Sequence, residues 1–352
     1  MEDPQQKSIH EIKIDLIDIP GEQEETPGDV DFDLLCFKNE NSYLIAKKSA
    51  DAQLIEEGQQ VCSACLAKQF IYKTLTDVIF YSPLNCYFIA EKDSRIYRKD
   101  IDADPAYPII NLHSLSFLQC SLRSSALNRN LIFNEKGRGL VVIDPKHQKV
   151  DFKMKECPGA GDKLEGFEII GDRQNRIIQV ESSGVIALKN IEFKKKKILS
   201  LTSTRIHPKT LSIVSAYSLT VCLSHTYACV AGCSPSLFIW VFEIGLNSLK
   251  FKTRVKGPGP DSLGLYIPIK CFEYVDENLS FVTLNPDLFD AVMTLYQLDP
   301  QNNELAVVTQ ENVDYSICSV LPESLERLGN FLYFPGREFK ILKVRLVTSG
   351  TE

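Results

Sequence analysis

The chain has 352 residues, of which 44% are apolar and 24% charged, with 18 Gly and 17 Pro. These are the proportions of an ordinary soluble globular protein, and they exclude collagen-like and low-complexity readings. A formal net charge of −7 argues against nucleic acid, which demands a concentrated basic face, and no apolar run approaches the roughly 20 residues of a transmembrane segment.

The start, Met1-Glu2-Asp3-Pro4-Gln5, lacks the basic and apolar regions of a signal peptide. The chain has 11 cysteines, an odd number. Reduced thiols in the cytoplasm are therefore expected, with the nucleus left open. Residues 9–19 place Ile12, Ile14 and Leu16 on alternate positions, the pattern of an edge strand. Residues 21–33 hold six acids, no base and the turn pair Pro27-Gly28, and read as an acidic linker.

From residue 34 onward one phrase recurs. It is a polar turn, an apolar strand, a short charged or Gly-containing turn, and a second strand. It starts at Asn41, Asn85, Asn130, Asn175, His225, Asn278 and Asn330, at separations of 44, 45, 45, 50, 53 and 52. The second strands end near Ile55, Ile101, Ile143, Asn190, Ile244, Leu298 and Leu346. Several lead into an acid, as in Ile143-Asp144-Pro145 and Leu298-Asp299-Pro300. Further strands are expected upstream at 77–81, 166–170, 270–274 and 315–320, all rich in Val, Ile, Tyr or Phe. The best helical candidate, residues 50–69, is interrupted by Gly58 and fits a strand and loop equally well.

Seven units of about 47 residues, each with three or four strands, is the arithmetic of an all-β, seven-bladed β-propeller. A four-stranded sheet cannot bury both faces alone, whereas seven around an axis bury each face against a neighbour. The last unit offers three strands, 315–320, 330–334 and 339–347. The N-terminal strand is therefore expected to pair with 339–347 and close the ring. The expected organisation is a closing strand in 1–20, the acidic linker 21–33, blades over 34–348 and a short tail, 349–352.

The period and strand order resemble the WD40-like family of seven-bladed propellers over roughly residues 9–347. The family's Gly-His and Trp-Asp dipeptides are absent. The one tryptophan, Trp240, lies in Ile239-Trp240-Val241-Phe242-Glu243-Ile244, with Phe242-Glu243 where Trp-Asp would stand. The resemblance implies a propeller fold and a scaffold role. It does not carry over the Asp-His-Ser-Trp network that pins many such blades.

Catalytic signatures are missing: there is no GxSxG, HExxH, GxxxxGK[ST] or GxGxxG. Gly159-Ala160-Gly161-Asp162-Lys163 lacks the Gly-Lys-Ser/Thr order of a phosphate loop and reads as a turn between blades. Cys62 and Cys65 form a CxxC with no second pair, as a zinc site of that kind requires. Cys222, His225, Cys229 and Cys233 are denser, but they span two strands around a Ser224-His225-Thr226 turn and read as core residues, with a metal site as the alternative. The five histidines fall at different strand and loop phases. No cofactor or metal is expected, and the protein is read as a non-enzyme.

Lys194, Lys195, Lys196 and Lys197 read either as an anionic-lipid or acidic-partner patch or as guards of an outer strand edge. The turns within the seven phrases offer a ring bearing Lys48, Lys92, Lys136, Arg138, Phe289 and Arg337, the residues expected to meet a partner. The expected function is a non-catalytic scaffold or adaptor that presents a propeller face to a protein or peptide. The alternatives are a hydrolase or lyase with a central-channel site, and a membrane-surface adaptor using the four lysines.

Overall fold

The computed structural model describes residues 9–20, 34–46, 52–56, 59–62, 75–91, 95–101, 107–111, 120–125, 130–135, 139–153, 164–170, 175–206, 217–222, 224–234, 236–256, 269–273, 279–286, 290–299, 301–314, 325–336 and 340–348. These residues form seven antiparallel sheets of four strands each. Sheets 1 to 6 are simple meanders over 34–62, 75–111, 120–153, 164–205, 217–256 and 269–314. Sheet 7 takes three strands from 326–348, and its fourth is Ile9–Asp18 from the other end of the chain.

The middle strands read as unbroken apolar runs because both of their faces are covered. In sheet 4 the second strand, Arg176–Glu181, is buried at every position. Its side chains alternate between neighbours, as the two-residue strand period requires. Ile178 and Val180 pack on Val230, Trp240 and Phe242 of sheet 5. Ile177 packs with Ile132, Val142 and Phe152 of sheet 3. Six such hydrophobic clusters each join two sheets consecutive in the chain, and a seventh joins the last sheet to the first. The last of them sets Tyr333 and Ile341 of sheet 7 against Leu35, Tyr43 and Ile45 of sheet 1. There the Phe37 and Tyr333 rings meet with centroids 4.6 Å apart.

The strand Ile9–Asp18 lies antiparallel to Lys340–Thr348, with Ile12 opposite Leu346, Ile14 opposite Val344 and Leu16 opposite Leu342. Ile12 is buried with Leu342 and Val344 and with residues of sheet 6. Ile19, just beyond the strand, is buried in the cluster that joins sheet 7 to sheet 1.

Two acids at the ends of third strands hold the turns that follow. Asp144 Oδ1 accepts the backbone N–H groups of Lys146 and His147, and Oδ2 lies 2.6 Å from His147 Nδ1. Asp299 Oδ1 accepts from the backbone of Gln301 and Asn302, and Oδ2 from the Asn302 amide. Such side-chain-to-backbone bonds are why Asp initiates turns. The backbone N–H groups of Asn302 and Gln301 hold the Asp299 carboxyl below its ordinary pKa. At Asp144 partial burial pushes the other way, but the His147 ring and the backbone donors outweigh it.

The first described strand of sheet 7 is Glu326–Leu328, whereas 315–320 lies outside the described residues. The segment 50–69, which fitted a helix or a strand and loop, holds two strands among its described residues, Ala52–Glu56 and Gln59–Cys62.

Deleting residues 1–20 removes Ile12 and Ile19, worth about 1.5–3 kcal/mol each on burial, together with a whole strand ladder. The melting temperature should fall by about 5 °C or more, and an unchanged melting curve would contradict the pairing. A depressed carboxyl pKa gives stability that is present above the unfolded value, about 3.9, and is lost as pH falls through the folded one. The melting-temperature penalty of Asp299→Ala should therefore be full at pH 7 and shrink below about pH 4. A penalty that stays constant down to pH 2 would rule out this role.

Candidate functional site on the outer strands of sheets 4 to 6

The six residues expected to meet a partner, Lys48, Lys92, Lys136, Arg138, Phe289 and Arg337, all lie outside the described residues. The turns that carry them each join the second strand of a sheet to the third. The corresponding turn of sheet 4 is described. Gly184 sits at φ +73°, a conformation open to glycine, and its N–H donates to the Glu181 carbonyl at 2.8 Å.

The described turns between third and fourth strands carry polar contacts of their own. In sheet 5 the strand Ser236–Ile244 turns through Gly245, Leu246, Asn247 and Ser248 into Leu249–Lys256. Gly245 N–H donates to the Ser248 carbonyl at 2.9 Å, and a Cβ at position 245 would collide with Ser248 Oγ. Arg176, the buried first residue of its strand in sheet 4, reaches across to this turn. Its guanidinium donates to the carbonyl oxygens of Gly245 and, at 2.8 Å, Leu246. Both bonds come from Nη1, whose two N–H groups serve one carbonyl each. The clamped turn holds Leu246 out at 61% exposure, the highest among the described large apolar side chains.

The four lysines form the equivalent turn of sheet 4. Phe193–Lys195 is one turn of 3-10 helix, Lys196 closes it in the left-handed region, and Lys197 opens the fourth strand. Lys195 and Lys197 lie 3.1 and 3.8 Å from Glu192, and Lys196 lies 2.8 Å from Asp151 of sheet 3. Lys194 makes no ion pair among the described residues. Exposed pairs of this kind contribute about 0–1 kcal/mol each, so their main effect is to fix the turn's shape and spend much of its charge locally.

The outer strands differ sharply in charge. Leu249–Lys256 of sheet 5 carries Lys250, Lys252, Arg254 and Lys256 and no acid. Glu304–Asp314 of sheet 6 carries Glu304, Glu311 and Asp314 and no base. Phe251 stands on the first of these at 50% exposure and Val307 on the second at 40%. Phe251 rests edge-on against Phe242, centroids 5.8 Å apart, while the Arg254 guanidinium lies 5.4 Å from the Phe238 ring.

Of Cys222, His225, Cys229 and Cys233, the side chain of Cys233 lies outside what is described. Cys222 Sγ accepts the Tyr227 backbone N–H at 3.1 Å and lies 3.2 Å from Ser224 Oγ. Cys222 and Cys229 share the cluster between sheets 5 and 6, and His225 takes φ +57° in the turn. Among the described residues no three His, Cys, Asp or Glu side chains converge as a metal site requires. Burial pushes the Cys86 thiol up to about 11 despite the Arg98 guanidinium beside it, which leaves it a poor nucleophile at neutral pH. Between sheets 5 and 6, burial pushes the Tyr296 phenol up to about 12, against the smaller pull of the Thr283 and Thr294 hydroxyls. Among the described residues no helix is long and apolar enough to cross a membrane.

The signal for Leu246 was present in the sequence, as a large apolar residue inside a Gly-x-Asn-Ser turn. Its clamp was not, since Arg176 lies 70 positions away.

No protein-family model matches this chain, and no curated protein matches it.

Arg176→Met should keep the side-chain volume and strip the clamp. A hydrogen bond from a charged donor is worth about 1.5–3 kcal/mol, so a loss of about 2–4 kcal/mol is expected, with Arg176→Lys intermediate. Denaturant unfolding measures it, and a variant as stable as the wild type would show that the clamp is idle.

Proposed function

We propose that the chain is a closed seven-bladed β-propeller of the WD40-like kind and acts as a non-catalytic scaffold or adaptor for a protein or peptide partner. The cyclic packing order of the seven sheets supports the ring. The pairing of Ile9–Asp18 with Lys340–Thr348 supports its closure, because it leaves no terminal sheet short of a strand. In such a ring all turns of one type emerge on one face.

The observation that carries the binding role is Leu246. A buried arginine is committed to fixing a turn whose leucine is mostly in water. Holding a turn rigid before binding lowers the entropy cost of association. A protruding apolar residue on a rigid support is the form of an interface anchor. The same geometry gives a choice between the two faces. Leu246 stands in a third-to-fourth-strand turn, whereas Lys92, Arg138 and Arg337 fall in the sequence between second and third strands.

Affinity capture from the protein's own cells, read by mass spectrometry, tests both points. Leu246→Asp should lose the stoichiometric partner at least about tenfold, the scale of a hot-spot residue. A Lys92→Glu, Arg138→Glu, Arg337→Glu variant should retain it. The reverse pattern would move the working face to the second-to-third-strand turns. A wild-type protein recovered alone would overturn the scaffold reading.

A further inference from the structure

We infer that the outer strands of sheets 5 and 6 form a self-complementary surface through which two copies of this chain associate as a two-fold dimer. The inference does not rest on the scaffold reading and draws on the two outer strands rather than on the Leu246 turn that leads into one of them. Each of the two strands ends its sheet, so neither has a neighbouring strand on its outer side among the described residues. They lie next to one another in space, with Val255 of one and Leu305 of the other packed on the same cluster. One strand is cationic without an acid and the other acidic without a base.

Symmetry decides what that arrangement fits. A two-fold axis between the strands and parallel to them sets each copy's sheet 5 edge against the other's sheet 6 edge. Opposite charges then meet twice, and no like-charged edges face one another. This is the condition for an isologous contact, in which surface i meets j and j meets i. Lys250, Lys256, Glu304 and Glu311 are all exposed, and the half-exposed Val307 supplies apolar area between them. Sheet edges are prone to such association. Here the charge pattern limits it to the opposite edge, because like edges repel. A free acidic peptide would satisfy sheet 5 alone and leave the acid-only edge of sheet 6 without a role.

Sedimentation and light scattering of the full chain at low and high salt, with charge reversals, test the inference. The wild type should be a dimer at low micromolar concentration and about 0.05 M NaCl, and should dissociate as salt rises toward about 0.5 M. Lys250→Glu with Lys256→Glu should give a monomer, and so should Glu304→Lys with Glu311→Lys. Mixed in equal amounts, the two variants should form a heterodimer, since every facing pair is again opposite in charge. All four changes in one chain should restore the homodimer. That rescue distinguishes the interface from simple misfolding, and circular dichroism with melting curves checks that each variant is folded. A monomeric wild type, a dimer untouched by either pair of reversals, a failure of the mixture to pair, or mass that grows with concentration beyond two copies would each overturn the inference.

Discussion

The structure depends on one pairing of distant chain segments, the ladder between Ile9–Asp18 and Lys340–Thr348. Each sheet of this protein has two apolar faces and buries them only against neighbours. A row of such sheets leaves one uncovered face at each end, and the row becomes stable when its ends meet. The N-terminal strand completes the last sheet, and Ile19 beyond it enters the cluster shared with the first. The cost is the loop-closure entropy of bringing together residues more than 300 positions apart, which grows only slowly with length. The ladder and the cluster together offset it.

Within that arrangement the sheets are built alike but finished differently. Their centres are interchangeable apolar strands. The described turns from third to fourth strand, those of sheets 3 to 6, are individual, and each is fixed by polar side chains. Asp144 and Asp299 fold the turn on themselves, Glu192 gathers Lys195 and Lys197, and the turn after Ile244 is held from the neighbouring sheet by Arg176. Variation is cheap at these turns because they lie outside the packed faces. The binding reading therefore rests there and not on the strands.

The charge pattern has the same logic at larger scale. The net charge of −7 conceals one outer strand with four cations and an adjacent one with three acids. Outer strands pay little desolvation for charge, so they tolerate any pattern that keeps edges from pairing indiscriminately. Segregating the signs goes further than keeping edges apart, since it makes one specific pairing favourable and others unfavourable.

Much of the architecture was legible in the sequence. The recurring phrase from Asn41 to Asn330 places the second and third strands of every sheet, because covered middle strands must be apolar and their turns polar. The acids after Ile143 and Leu298 were legible as turn formers for the same local reason. The strand Glu326–Leu328 was not foreseen, since three residues are too few to carry a period, and the expected strand at 315–320 lies outside the described residues. The lysine run was visible, but not the fact that Glu192 and Asp151 engage three of its four charges. Local composition and periodicity thus determined the second and third strands of each sheet and their order. Only the tertiary structure decided which side chains reach across between sheets, as Arg176 does to the Leu246 turn, and that the cationic and acidic outer strands lie side by side. Those relations join residues tens of positions apart, and a one-dimensional pattern holds no record of distance through space.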